Sequence, residues 1–133
     1  MSLRPMPSGA ASRAHDSLRE GKRPIDLIHL ARQTHGDRDL EIELLGLFRR
    51  QAAQIMDRLS ADLPGNNIPW RADLAQTLKG SARAIGATRV AIKAEIYEVQ
   101  ARDGKPDLNP ALTALRSVVD EACGAIGDLL RAE

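Results

Sequence analysis

The sequence predicts an all-α protein, an antiparallel four-helix bundle with a short extra N-terminal helix. Three observations predict it. Apolar residues recur at spacings of three and four over long stretches, with no alternating strand pattern and no internal repeat. Hydrophobic residues make up 43% of the 133, yet there is one Trp, one Tyr and one Phe, so the core must come from Leu, Ile, Val and Ala, which favours packed helices. The periodic segments are joined by short turn-forming stretches, and short connections between helices give antiparallel neighbours. A chain of this length is expected to make one domain.

The elements follow in order. Residues 1–23, "MSLRPMPSGAASRAHDSLREGKR", mix Pro, Gly, Ser and Arg without a sustained apolar period and read as a flexible tail. Residues 24–133 read as the bundle domain. Pro24 suits the first position of a short helix, with Ile25, Leu27, Ile28, Leu30 and Ala31 before Gly36 interrupts. Asp37 can cap the longest amphipathic element, in which Leu40, Leu44, Leu47, Phe48, Ala52, Ile55, Met56 and Leu59 recur. "LPGNNIP", Leu63 to Pro69, has the residues of a loop, and Trp70 beyond it is placed to lid one end of the core.

The next helix contains "LAQTLKGSARAIGA", Leu74 to Ala87, with Leu74, Leu78, Ser81, Ala82 and Ile85 as its buried stripe. Gly86 ends it, and Thr88 can cap another helix whose apolar side is Val90, Ile92, Ile96 and Val99. The last helix starts at Asn109 and Pro110, and its stripe of Leu108, Leu112, Leu115, Val119, Ala122, Ile126 and Leu129 alternates by four and three.

Several function classes are disfavoured by composition. Cys123 is the one cysteine, read as a small core residue, and no Cys/His group has the spacing of a zinc site. His15, His29 and His35 read as surface residues. No apolar run approaches the roughly 18 to 20 residues of a membrane span, and no secretory hydrophobic region opens the chain, so a soluble cytoplasmic protein is expected. The net charge is +1, and five basic and two acidic groups in the first 23 residues leave the remainder slightly acidic. That balance disfavours nucleic acid as a partner. There is no Gly-x-x-x-x-Gly-Lys-Ser loop, no nucleophile paired with a base and no metal cluster, so neither a catalytic activity of its own nor a cofactor is expected.

One helix face calls for a functional explanation. Gln76, Lys79, Gly80 and Arg83 fall at i, i+3, i+4 and i+7 and form one exposed stripe. A helix-interior glycine costs about 1 kcal/mol relative to alanine. On a wet face the cost makes sense where a partner must come close to the backbone.

The stretch "QTLKGSARAIGA" resembles the signature of the histidine phosphotransfer domain, a four-helix bundle whose motif runs His-x-x-Lys-Gly. "DLIHLARQTHGDRDLEIELLGLFRRQA", Asp26 to Ala52, resembles the family's opening helices, and residues 24 to 131 fit its length and order. The resemblance implies bacterial two-component signalling, in which a phosphoryl group passes between the histidine and aspartates of response-regulator receiver domains, with a histidine kinase in the relay. That chemistry needs an exposed imidazole nitrogen, a nearby cation and an acceptor fixing the other ring nitrogen. By the resemblance, Lys79 is the cation, Gly80 the small residue that admits the receiver, and Glu98 the holder of the ring, with Glu95 one turn earlier as the alternative. The Mg²⁺ for transfer sits in the receiver.

The departure is at the centre. Where the motif has histidine, this chain has Gln76. A carboxamide nitrogen shares its lone pair with the carbonyl and cannot take a phosphoryl group, yet it has the reach and hydrogen-bonding capacity to keep a docking surface. The expectation is a monomeric module that docks receivers without phosphotransfer, through a small apolar patch of Ala72, Ala75 and the Gly80 clearing, rimmed by Lys79, Arg83 and Arg89. One alternative is a true phosphohistidine carrier whose histidine has been replaced at position 76. Another is a structural helical bundle that associates through the stripe of its last helix.

Overall fold

A computed structural model of the chain describes residues 23–61 and 68–132, apart from the side chain of Ile68. The tail expected over residues 1–23, with His15, lies outside the described residues except for Arg23, as do residue 62 and residues 63–67 of the expected loop, whose last two positions, Ile68 and Pro69, instead open a helix. Five helices are described, α1 (Leu27–Thr34), α2 (Arg38–Ser60), α3 (Ile68–Ile85), α4 (Thr88–Arg102) and α5 (Asn109–Arg131), with no strand among those residues.

The helix ends follow from local chemistry. Asp26, not Pro24, begins α1: its side chain accepts from the His29 amide at 3.0 Å, while Pro24 and Ile25 lie in a bend before it. Asp37 caps α2 as expected, accepting from the Leu40 amide at 3.1 Å. Thr88 is the first residue of α4 and not its cap; Ala87 occupies the cap position without a side-chain bond. Pro110 stands in the first turn of α5, where its missing N–H is harmless.

Helices α2 to α5 form a closed ring in which each touches the next and α5 returns to α2, while α1 lies against α2 and α3. The core is mainly aliphatic, with Leu45, Leu59, Leu78, Val90, Leu115 and Ile126 buried in one cluster that also holds Phe48 and Tyr97. Two expected stripes are corrected. In α2, Leu47 is exposed and Leu45 takes the core position. In α4 the expected apolar side is largely outside: Ile92, Ile96 and Val99 are 52%, 39% and 50% exposed, and the buried face is Val90, Ala91, Ala94, Tyr97, Glu98 and Ala101.

The cause of the second correction is an alanine seam. Ala72, Ala75 and Ala82 of α3 and Ala91, Ala94 and Ala101 of α4 are all buried, and α3 and α4 make the most extensive helix pair in the bundle. Small side chains let two backbones approach, so α4 turns its alanines inward and its β-branched residues out. Trp70 and Cys123 are half-buried, and Cys123 packs against the core.

Polar ties set the position of α3 within the ring. The Arg71 guanidinium donates to the Leu59 and Ala61 carbonyls at 2.6 and 2.9 Å, closing the end of α2, and the Ser81 hydroxyl donates to Gln51 Oε1 at 2.7 Å. At the other end Gly86 has φ +80°, and a Cβ there would meet the Asp26 carbonyl at 2.7 Å, so the turn from α3 to α4 needs glycine. The Asp26 amide donates to the Gly86 carbonyl at 2.8 Å. His29 is therefore more than a surface residue: its Nε2 donates to the Arg83 carbonyl, also at 2.8 Å, fastening α1 to the end of α3.

Candidate functional site

With Ala72, Ala75, Leu78 and Ala82 facing the core, the opposite side of α3 faces out. Gln76, Gly80 and Arg83 are exposed. The expected patch is corrected here: Ala72 and Ala75 are fully buried in the seam, so neither can touch a partner. Lys79 stands at the edge of the seam with its side chain only 16% exposed.

The close approach of α3 and α4 brings the predicted charged residues together. Lys79 Nζ lies 2.9 Å from Glu98 Oε1 and 3.6 Å from Glu95 Oε1, and Glu95 also receives Arg83 Nη2 at 3.5 Å. The other oxygen of Glu98 accepts from Arg102 Nε at 3.2 Å, and Arg102 Nη2 reaches Asp73 Oδ1 at 3.1 Å and Gln76 Oε1 at 3.4 Å. Charges of opposite sign thus alternate from Asp73 through Arg102, Glu98, Lys79 and Glu95 to Arg83, three carboxylates against three cations. Arg89, expected on the rim, pairs with Glu121 of α5 at 2.7 Å.

Sequence reasoning missed Asp73 and Arg102. A signal for both was available: Asp73 precedes Gln76 by one helical turn, and Arg102 follows Glu98 at i+4, the spacing of a helical ion pair.

The Lys79 hydrogen bond holds the Glu98 carboxyl below its usual range; burial works against this, and Arg102 adds to it. Glu98 is accordingly a carboxylate at neutral pH, acceptor only. Burial pushes the Cys123 thiol up, Asp120 adds to the rise and Arg49 opposes it, which disfavours a reactive thiolate. Among the described residues no group of His, Cys, Asp and Glu is arranged to hold a metal ion.

Gly80 occupies the middle of this face. Among the described residues, a Cβ built on it would meet nothing within 4 Å, so no described neighbouring helix requires the glycine. On α4, Ile92, Ile96 and Val99 recur at i, i+4 and i+7 as an exposed apolar stripe, and Ile92 lines the same surface hollow as Arg83 and Glu95 of the ion-pair chain.

The sequence profile of the family described as Hpt domain matches residues 43–130, well over half of the chain. The chain belongs to the Hpt domain family. An all-helical bundle with an additional N-terminal helix is consistent with that membership. Hpt domains are phosphocarrier modules that work in phosphorelays with kinases and receiver domains. No curated protein and no solved structure matches this Hpt domain. None of its described helices is long and apolar enough to cross a membrane.

Proposed function

We propose that this Hpt domain docks response-regulator receiver domains and does not carry the phosphoryl group, because Gln76 stands where the family's motif has histidine. The observation that carries the docking half is Gly80. It is exposed, it lies in mid-helix, and it has open space where a side chain would be. A helix that gives up about 1 kcal/mol at such a position gains nothing within its own fold. A partner that must reach the backbone beside Gln76 accounts for it. The exposed Ile92, Ile96 and Val99 supply the apolar contact that the buried Ala72 and Ala75 cannot. Signalling partners must separate again, so a modest, transient interface is expected.

The test is a titration of the ¹⁵N-labelled protein with the receiver domains encoded in the same genome, followed by two-dimensional NMR. Shifts clustered on Gln76, Lys79, Gly80 and Arg83 support the reading. A protein whose spectrum responds to none of them is not a receiver-docking module.

A second reading, a phosphocarrier with its histidine replaced, draws on the network that still surrounds position 76, where Lys79, Glu98 and Arg102 interlock. Gln76→His separates the two. If the variant takes up an acid-labile phosphoryl group from a phosphorylated receiver, the supporting residues are intact; if it stays unmodified, they have lost the function along with the histidine.

A further inference from the structure

The Arg102 guanidinium has only N–H donors and cannot accept a hydrogen bond. It is held from two helices, by Asp73 Oδ1 at 3.1 Å and Glu98 Oε2 at 3.2 Å, so its place does not depend on Gln76. Gln76 Oε1 lies 3.4 Å from its Nη2. A carboxamide beside a fixed cation turns its oxygen inward and its NH₂ away, because the reverse sets N–H dipoles against the guanidinium. Among the described residues, no acceptor bonds the Gln76 amide nitrogen, and the residue is exposed.

The exposed charges around this point are already paired, Arg102 with Asp73 and Arg83 with Glu95. Lys79, which the resemblance makes the cation for phosphoryl oxygens, is 16% exposed and engaged by Glu98 and Glu95. The alternating chain balances its own charge. What the centre of the face offers is a pair of amide N–H donors.

We infer that Arg102 is a positioning residue that holds Gln76 as an outward hydrogen-bond donor, and that the partner group facing it is an anionic oxygen. The source of that oxygen is either a carboxylate of the receiver's acidic cluster or a phosphoryl group carried there. The inference rests on the receiver-docking reading and adds its chemistry: position 76 binds the group that a histidine would have attacked.

The experiment is isothermal titration of receiver domains from the same genome, with Mg²⁺, untreated and treated with beryllofluoride, into this chain and its Gln76→Glu and Arg102→Met variants. Gln76→Glu is nearly isosteric and replaces the outward NH₂ by an oxygen. It is expected to weaken binding about tenfold or more, the scale of a lost hydrogen bond to a charged group. Arg102→Met keeps an unbranched apolar stem and removes the donors. It is expected to weaken binding less, and to move the Gln76 side-chain NH₂ resonances of the free protein toward those of an unconstrained glutamine, with backbone resonances elsewhere unchanged. Tighter binding of the beryllofluoride-treated receiver identifies the acceptor as phosphoryl, and tighter or equal binding of the untreated one identifies a carboxylate; both support the inference. Undiminished binding by Gln76→Glu overturns it and leaves receiver docking standing. Gln76 NH₂ resonances that ignore Arg102→Met overturn the positioning role. Failure of the wild type to bind any receiver overturns the docking reading and this inference with it.

Discussion

At the scale of single residues, Gly80 and Glu98 make opposite demands on the helices that carry them. Gly80 has space around it and no role in packing, so Gly80→Ala is expected to raise stability by about 1 kcal/mol, read from urea unfolding, while weakening receiver binding. A stabilised variant that binds as well as the wild type removes the reason for a glycine there. Glu98 is held ionised by Lys79, with its carboxyl below the ordinary glutamate range. A depressed value in the folded state gives a stabilising contribution that is complete above the unfolded value, about pH 4.3, and is lost as pH falls through the folded one. Urea midpoints measured from pH 7 down to pH 3 are therefore expected to fall more steeply in acid for the wild type than for Glu98→Gln. Lys79, Gly80 and Glu98 were legible because a motif and its spacing point to them. Arg102 was legible only as the i+4 partner of Glu98; its reach to Asp73 and Gln76 was not, because those residues lie on another helix.

At the scale of elements, α4 is where periodicity misleads. It carries apolar residues on two faces, so the pattern alone cannot say which one is buried. The larger residues suggest Val90, Ile92, Ile96 and Val99. The alanines win because α3 presents alanines of its own, and two small faces pack more closely than one small and one large. This has a measurable consequence. Ile96→Ser is expected to change stability by no more than about 0.5 kcal/mol while weakening receiver binding, and Ala94→Leu to cost about 1–3 kcal/mol by overpacking the seam. Thermal or urea unfolding of both variants checks it; the reverse order would mean that α4 is turned the other way. Helices α2 and α5 offered no such ambiguity in most positions, since each has a single dominant apolar stripe.

At the scale of the whole molecule, four helices close into a ring, and the fifth bolts one end through the Gly86 turn and the His29 bond. The stripe of the last helix, which as a sequence could have continued into a coiled coil, is used up internally: Leu115, Val119, Ala122 and Ile126 are all buried. The protein is accordingly expected to sediment as a monomer across a wide concentration range. A concentration-dependent dimer that Ile96→Ser abolishes would instead mark the α4 stripe as a self-association surface. The sequence by itself determined the fold class, the helix order, several helix ends and which α3 residues the docking proposal rests on, because periodicity, capping and glycine placement act over a few neighbouring residues. The tertiary structure alone decided that Ala72 and Ala75 are core, that Ile92, Ile96 and Val99 are surface, and that Arg102 reaches Gln76. Each depends on how closely α3 and α4 approach, and that distance is set by side-chain volumes on both helices together.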